Sequence, residues 1–335
     1  MPQKSFYMNK KAVSLLSGGL DSTLSTRLIL DQGIEVVGLH FTSHFASKSD
    51  KERGLQAVRT AQELDIRLIT QHKGDEYIEI VKHPRYGYGK NMNPCIDCRI
   101  FMLQKTREVM ASEGAGFLIT GEVLGQRPMS QKRHTIELIE KKSGLQGLIV
   151  RPLSARLLPS TQPELEGIID RERLLDVSGR SREVQYNLVS HYGLKEFARP
   201  GGGCLLTDPI FAHKLKDLMS GGIAFTPKDI ELITIGRYFR PTRDTLLVLG
   251  RNQEENAHLE SLFEPPYILF SPVNFKGPKG LFKGVPTQEI VETTANVMAF
   301  YGKHTGPLIT IESRNGSPAT HTIERRDTDV EKIRI

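Results

Sequence analysis

The short stretch SGGLDS near the start of the chain combines residue types that bind phosphate. Gly18 and Gly19 allow a tight turn and a close approach of the backbone to a ligand, and Ser17 and Ser22 add hydroxyl donors. Free N–H groups at a helix start favour an anion. The carboxylate of Asp21 would repel bare phosphate unless a cation lies between them. The stretch therefore predicts a site for phosphate with Mg²⁺; a Gly-Gly turn with a polar helix cap is the simpler alternative.

The cysteines form a second set of residues that could do chemistry. Cys95 and Cys98 have CxxC spacing, and Cys204 is the only other cysteine. A lone CxxC can be a redox pair, half a zinc site or chance, and zinc would need a fourth ligand such as His72 or His83. Three cysteines without a fourth fit a [4Fe–4S] cluster, one iron of which keeps an open position. In the competing thiol mechanism, Cys204 carries a persulfide and a CxxC cysteine resolves the disulfide.

The elements around the first stretch predict a strand, a turn and a helix. Residues 11–16 are an apolar run of strand length, and residues 22–30 carry leucines at helical spacing. Residues 34–41 predict a second buried strand, which completes a strand–helix–strand unit with parallel strands. Ligands bind at the carboxyl ends of such strands. The same patterns predict helices over 54–64 and 100–110 and strands over 65–70 and 117–121.

The composition is that of a soluble globular protein. The chain has 335 residues, of which 38% are hydrophobic and 25% charged, enough for two domains with their own cores. No apolar run approaches the ~20 residues that span a bilayer, and residues 1–10 lack the apolar region of a secretory signal. Three cysteines cannot form a complete disulfide framework. We therefore expect a reducing, cytoplasmic location and no membrane association.

Several motifs resemble one enzyme family. SGGxDS without the Walker Lys-Ser/Thr pair resembles the PP-loop ATP pyrophosphatases. A further series of motifs resembles, in its order along the chain, the 4-thiouridine synthetases, the ThiI type of tRNA sulfurtransferase. The series is GEVLGQ over 121–126 with the following Ser-Gln, RPL over 151–153, and Cys204 after the FAR stretch at 197–199. The resemblance covers about residues 10–210. It departs from the family at Arg182, where a lysine is usual, and at an insertion over 155–177.

The resemblance implies a Rossmann-like PP-loop domain of the adenine nucleotide alpha hydrolase type, with a parallel sheet, that uses ATP and Mg²⁺. Its implied catalytic residues are Asp21, Cys95, Cys98 and Cys204, and the three cysteines are the implied ligands of the [4Fe–4S] cluster. The implied ATP site comprises Ser17, Gly18, Gly19, Asp21, Ser22, Leu39, His40, Phe41, Gly121 and Gln126. The RNA-binding (THUMP) and rhodanese domains of longer relatives are not expected, so substrate capture and sulfur supply should differ.

Basic residues in the N-terminal part predict contacts with RNA. The net charge is +6, and residues 225–335 carry 14 Lys/Arg and 14 Asp/Glu, so the excess lies in residues 1–224. A loop over 82–99 interleaves basic residues with two tyrosines, which suits single-stranded or flipped bases, although a solvated loop is the simpler interpretation. The expected RNA-binding residues are Lys82, Arg85, Lys90, Arg127, Lys132, Arg133 and Arg182.

The C-terminal part predicts a second, smaller α+β domain. Short strands are expected over 229–236, 245–252, 267–270 and 308–311. LGRNQEEN over 249–256 resembles the NFACT-R RNA-binding module, which implies an RNA-binding role; a dimerisation or packing domain is the alternative. We expect a PP-loop domain over 1–215, a linker over 216–226 and the NFACT-R-like domain over 227–335.

The function that the resemblance implies is ATP-dependent thiolation of a tRNA uridine, giving 4-thiouridine. ATP would adenylate the uracil oxygen, and sulfur held at the cysteines would displace AMP. The expected partners are tRNA and a sulfur donor, either free sulfide or a cysteine desulfurase, and a second copy of the chain is a candidate partner. Two alternatives remain open: a PP-loop enzyme acting on a small-molecule or carrier-protein carbonyl, and an RNA-binding protein that only senses ATP.

Overall fold

A computed structural model describes residues 9–198, 204–326 and 329–335. The chain divides into two compact units, Met1–Thr207 and Asp208–Ile335. This division lies before the boundary expected at residue 215. Arg199 of the FAR stretch lies outside the described residues. None of the described helices is long and apolar enough to cross a bilayer.

The N-terminal unit is built around a parallel five-stranded sheet, as predicted. Its strands lie in the order β3-β2-β1-β4-β5, so the strand that leads into SGGLDS is central. The elements are β1 (Lys11–Leu15), α1 (Leu20–Leu30), β2 (Glu35–Thr42), α2 (Lys48–Glu63), β3 (Leu68–His72), α3 (Glu76–Lys82), α4 (Cys95–Glu113), β4 (Phe117–Thr120), α5 (Arg133–Ser143), β5 (Ile149–Val150), α6 (Gln162–Leu165) and α7 (Glu183–Tyr192).

Helices cover both faces of this sheet. Successive residues of a strand point to opposite faces, and Ala12 and Val13 of β1 accordingly lie in two different clusters of buried side chains. Ala12 packs with Phe117 and Ile29, while Val13 packs with Leu103 of α4. The arrangement is Rossmann-like and brings the carboxyl ends of β1, β2 and β4 to one edge.

Helix α4 begins five residues earlier than the sequence suggested. The cysteine pair was expected in the loop before a helix at 100–110, but Cys95 is the first residue of α4 and Cys98 lies in its first turn. Pro94 directly precedes the helix. A backbone N–H at this position would make no hydrogen bond within the helix, so the missing N–H of proline costs no helical hydrogen bond. Both thiols are therefore held by regular backbone rather than by a loop.

The C-terminal unit is an antiparallel sheet with helices, as the α+β prediction required. Its strand order is β11-β10-β8-β9-β7-β6. The elements are α8 (Pro209–Ser220), α9 (Pro227–Leu232), β6 (Arg237–Phe239), β7 (Leu246–Leu249), α10 (Gln253–Ser261), β8 (Ile268–Pro272), β9 (Gly280–Lys283), α11 (Gln288–Tyr301), β10 (Leu308–Asn315), β11 (Ser317–Glu324) and α12 (Val330–Ile333). Helix α11 packs on the sheet through Ile290, Ala295 and Met298.

Two expectations about this unit were wrong in detail. The first half of the strand expected over 229–236 is part of helix α9, because Thr226 and Asp229 form a capping box and Pro227 occupies the first helical turn. The linker expected over 216–226 is helical as far as Ser220, since α8 starts at Pro209 behind the cap of Asp208. In both places a capped helix lies where the sequence suggested another structure.

Candidate active site

The SGGLDS stretch forms the turn between β1 and α1. The hydroxyl oxygens of Ser17 and Ser22 lie 3.0 Å apart and share a hydrogen bond, and Ser22 also donates to the carbonyl oxygen of Gly19 at 2.9 Å. Asp21 lies in the first turn of α1. The turn is fixed by its own side chains, and the N–H groups that begin α1 lie beside it, which suits an anion.

Two glycines are required because backbone segments approach the turn closely. Gly18 has a φ of +71°, and a Cβ there would lie 2.5 Å from the backbone nitrogen of Ala57 on α2. A Cβ on Gly121, which follows β4, would lie 2.5 Å from the backbone nitrogen of Ser22. These contacts bring α2 and the end of β4 against the turn, so GEVLGQ begins beside SGGLDS.

Two amide side chains hold the carboxylate of Asp21. Nε2 of Gln126 donates to one carboxylate oxygen and Nε2 of Gln185 donates to the other, each at 3.3 Å. Gln185 is fully buried, and its own Oε1 has no hydrogen-bond partner among the described residues. Gln185 was not among the residues predicted from the sequence. The signal it carries is weak: it is a polar residue at the one fully buried position of α7.

The turn, the strand ends and the cysteines line one cavity of about 400 Å³. Every residue of the expected ATP site except Gly18 lines it. The cavity is also lined by Asp50, Arg53, Lys73, Tyr77, Cys95, Cys98, Arg99, Glu122, Arg127, Arg182 and Cys204. The SGGLDS turn and the three cysteines thus line the same cavity, which the sequence alone could not establish.

His40 at the end of β2 is neutral in this cavity. Its Nδ1 donates to the carbonyl oxygen of Leu16 at 3.0 Å, and burial lowers the pKa of the imidazole. A neutral ring with a protonated Nδ1 keeps Nε2 as an acceptor. Together with Leu39 and Phe41, which also line the cavity, His40 offers an apolar wall with one polar atom for a nucleotide base.

The three cysteines are partly buried free thiols. Burial raises the pKa of Cys204 to about 11, and the neighbouring Cys98 adds to that rise. Burial also raises the pKa of Cys95, again with a contribution from Cys98. Within the ranges that the structure describes, no group of three or more His, Cys, Asp or Glu side chains is already arranged around a common metal position.

Lys73 and Tyr77 adjoin the cysteines, and neither was predicted. Nζ of Lys73 lies 3.2 Å from Sγ of Cys98 and 4.4 Å from the centre of the Tyr77 ring. Burial raises the pKa of Tyr77, and the three neighbouring thiols raise it further, so its hydroxyl stays neutral. Neither residue belongs to a motif of the sequence, so only the fold could reveal them.

Glu122 of the GEVLGQ motif anchors the cavity wall. It accepts from Nε of Arg99 at 2.8 Å and from Nε of Arg151 at 2.9 Å, and Arg151 also pairs with Glu140. Burial alone would raise the pKa of Glu122, but the two guanidinium groups outweigh it and lower that pKa to about 2. GEVLGQ and RPL are therefore joined by a buried ion pair that also fixes the residue after Cys98.

The expected RNA-binding residues fall into two groups. Arg127 and Arg182 line the cavity, where they would meet phosphate or a substrate group. The other five do not line it: Lys82 pairs with Glu79, Arg133 donates to the carbonyl oxygen of Leu157, and Arg85, Lys90 and Lys132 lie outside the lining. The loop tyrosine Tyr88 is 40% exposed, and its hydroxyl donates to the carbonyl oxygen of Val81.

Comparison with known families agrees with this geometry. Residues 7–156 match the family model of ThiI, described as thiamine biosynthesis protein. The residues that match this model are called the ThiI domain. Residues 236–334 match the NFACT protein RNA-binding domain, so each unit carries its own family domain. The ThiI domain contains SGGLDS, the CxxC pair, GEVLGQ and RPL, whereas Gln185 and Cys204 lie beyond it.

Individual relatives match part of this chain over part of their own length. The chain is 33% identical over 121 residues to a probable tRNA sulfurtransferase of Methanosarcina mazei, covering 35% of this chain and 29% of that protein. It is 31% identical over 132 residues to the tRNA-specific 2-thiouridylase MnmA of Petrotoga mobilis, covering 35% and 36%. The chain thus spans about a third of the length of these curated relatives.

A solved structure with a similar arrangement is that of the U34-tRNA thiolase NcsA from Methanococcus maripaludis with its [4Fe–4S] cluster. The sequence identity is 17%, the similarity covers 65% of this chain and 67% of that chain, and the TM-score is 0.35.

Proposed function

We propose that this protein is an ATP-dependent tRNA uridine thiolase that forms 4-thiouridine. The observation that carries the proposal is the single cavity lined by both the SGGLDS turn and the three cysteines. A thiolation needs the two halves of its chemistry, activation of a carbonyl oxygen and delivery of sulfur, within reach of one base. The ThiI domain and the sulfurtransferase relatives support the same reaction class.

The turn performs the activation. The N–H groups at the start of α1 and the hydroxyls of Ser17 and Ser22 bind the pyrophosphate portion of ATP. Mg²⁺ fits beside Asp21, because each carboxylate oxygen keeps a lone pair after accepting one amide hydrogen bond. This ion supplies charge compensation for the leaving pyrophosphate. The uracil O4 attacks the α-phosphorus, pyrophosphate leaves, and the O4–AMP bond makes AMP the next leaving group.

Arg127 and Arg182 bind phosphate groups of the substrates. Both line the cavity with the turn, and Nε of Arg182 is buried without a partner among the described residues. A guanidinium with an unused N–H in such a cavity is suited to phosphate oxygens. The target uridine must leave its stack to enter this space, since the reacting groups lie inside a cavity.

The cysteines fit a [4Fe–4S] cluster by their chemistry and location. Three cysteines line one cavity, and two of them are on the first turn of α4. Three thiol ligands would leave one iron of the cluster for a ligand from outside the protein. Cys95, Cys98 and Cys204 would hold the cluster. When bound, it supplies a Lewis-acidic iron with an open coordination position for sulfur from outside the protein. In the reaction as a whole, hydrosulfide forms the C4–S bond and the C4–O bond to AMP breaks.

The C-terminal unit contributes a separate RNA-binding domain. Its NFACT RNA-binding domain supports a role in capturing tRNA. Free sulfide or a cysteine desulfurase supplies the sulfur, the enzyme acts in the cytoplasm, and a homodimer is a further proposal for its assembly.

The test begins with protein purified and reconstituted without oxygen, beside Cys95→Ala, Cys98→Ala and Cys204→Ala. We expect broad absorbance near ~400 nm and about four irons per chain, both lost in each variant. The loaded wild-type protein, given ATP, Mg²⁺ and sulfide, should thiolate bulk tRNA, with pyrophosphate released only when tRNA is present. Mass spectrometry of the digested nucleosides distinguishes 4-thiouridine from 2-thiouridine.

Different failures have different meanings. A colourless protein that thiolates tRNA only with a persulfide donor would replace the cluster by a thiol mechanism on Cys204. A protein that contains iron but leaves tRNA unmodified would overturn the RNA substrate. Asp21→Asn serves as the control for activation, because it should keep the iron and lose pyrophosphate release.

A further inference from the structure

Lys73 is a cation of the cavity whose contacts are a sulfur and an aromatic ring. It directly follows β3, and its Nζ lies 3.2 Å from Sγ of Cys98. The same nitrogen lies 4.4 Å from the centre of the Tyr77 ring. In the part of the chain that the structure describes, no carboxylate forms an ion pair with Lys73.

Two other cations of the lining have a carboxylate partner. Arg53 pairs with Asp50 at 3.3 Å, and Arg99 pairs with Glu122 at 2.8 Å, so each lies beside a negative charge of its own. Lys73 instead has its charge beside a thiol, that of Cys98. That placement gives the sulfur a counter-charge at a partly buried position.

Tyr77 fixes this arrangement. Its side chain is 2% exposed, so its ring cannot move far, and it packs against Phe45 and Phe101. An ammonium over an aromatic face is attracted by the negative face of the ring. The ring therefore keeps Nζ of Lys73 on the side of Cys98 instead of letting it extend to water.

We propose that Lys73 is a positioning residue of the sulfur site, which donates a hydrogen bond to Sγ of Cys98 and supplies its counter-charge. The inference rests on the proposed function, in which Cys98 is a cluster ligand. Hydrogen bonds to ligand sulfurs and nearby positive charge set the potential of such clusters, because they stabilise the more negative state. Lys73 would consequently raise the reduction potential of a cluster held by the three cysteines.

The experiment compares midpoint potentials of protein reconstituted without oxygen, titrated with dithionite and followed by electron paramagnetic resonance. Lys73→Met should contain as much iron as the wild type and show a more negative potential. Lys73→Gln is a second neutral variant in case the methionine perturbs folding. Lys73→Arg should restore most of the wild-type potential, and Tyr77→Phe, which keeps the ring, should shift it less than Lys73→Met.

Lys142→Met is the matched control, since Lys142 is an exposed lysine of the same unit outside the cavity lining. It should leave the potential unchanged. Iron-loaded Lys73→Met and Lys73→Gln with the wild-type potential would overturn the inference and leave the proposed function intact. A wild-type protein that binds no iron would overturn the cluster and the inference with it.

Discussion

At the scale of single residues, the position of Asp21 depends on two amides that come from distant parts of the chain. Gln126 follows β4, and Gln185 is on α7. Each donates to a different carboxylate oxygen, which fixes the plane of the carboxylate. In the proposed mechanism, a carboxylate whose plane is fixed loses less entropy when it binds Mg²⁺.

We predict that Gln185→Leu weakens the response to Mg²⁺ without preventing folding. A hydrogen bond to a charged group contributes about 1.5–3 kcal/mol, so the Mg²⁺ concentration for half-maximal pyrophosphate release should rise about 10- to 100-fold. The measurement is a Mg²⁺ titration of pyrophosphate release with tRNA present. Gln104→Leu, on the exposed side of α4, is the control. An unchanged Mg²⁺ requirement in Gln185→Leu would remove the positioning role.

At the scale of elements, buried charges join the segments that carry the motifs. Glu122 connects the start of α4, through Arg99, with the residue after β5, Arg151. Removing one partner of a buried ion pair leaves the other charge uncompensated. The free-energy cost of that buried charge exceeds the stabilisation that the intact pair provides. The wall beneath the cysteines therefore depends on this carboxylate.

We predict that Glu122→Gln lowers the free energy of unfolding by about 3 kcal/mol at pH 7. The folded pKa of Glu122 is about 2, below its ordinary value of 4.5. Its contribution is therefore fully present above pH 4.5 and is lost as the pH falls through 2. Urea unfolding at pH 7 and pH 3 should show the difference between wild type and variant shrinking by roughly 2 kcal/mol.

The exposed Glu137→Gln on α5 controls for the loss of a carboxylate and should change little at either pH. A difference that stays constant between the two pH values would mean that the Glu122 carboxyl is not held ionised by the arginines.

A second prediction at this scale concerns the two glycines of the turn. A side chain at Gly18 meets the backbone of α2 at 2.5 Å and requires a positive φ, whereas one at Gly19 first meets Oγ of Ser17 at 3.4 Å. Gly18→Ala should lower the free energy of unfolding by about 2 kcal/mol, and Gly19→Ala should change it by less than about 0.5 kcal/mol. Equal losses in urea unfolding would contradict the close packing of α2 on the turn.

The sequence predicted elements better than contacts between them. β1, α1 and β2 were predictable because a buried strand, a Gly-rich turn and a helical leucine pattern are all local signals. Strand 229–236 was predicted wrongly because its apolar residues masked the capping box at Thr226. Lys73 and Gln185 could not be predicted, since each acquires its role only from a partner 25 or 164 residues away in the chain.

At the scale of the whole molecule, each unit has its own core and its own buried polar cluster. In the C-terminal unit, Asp229 is 1% exposed and accepts from Nζ of Lys283 at 2.6 Å and from the hydroxyl of Tyr267 at 2.8 Å. It also caps α9 through the backbone nitrogen of Thr226. One carboxylate thus joins a helix start to two strands.

We predict that Asp229→Ala destabilises the C-terminal unit by about 3–5 kcal/mol, because Lys283 is left buried and unpaired. Hydrogen exchange resolved by mass spectrometry should show faster exchange over residues 208–335 and little change before them. Asp244→Ala, at an exposed position of the same unit, is the control and should exchange like wild type. Faster exchange in both units would show that they unfold as one.

The position of the cysteines along the chain has a consequence for biosynthesis. Cys95 and Cys98 begin one helix, while Cys204 comes near the end of the same unit, about a hundred residues later. At 5–20 residues per second, the pair leaves the ribosome roughly 5–20 s before its third partner exists. Any ligand that needs all three sulfurs must therefore be inserted after translation of the unit, and until then the nascent chain carries two thiols that a chaperone or a reducing environment has to protect.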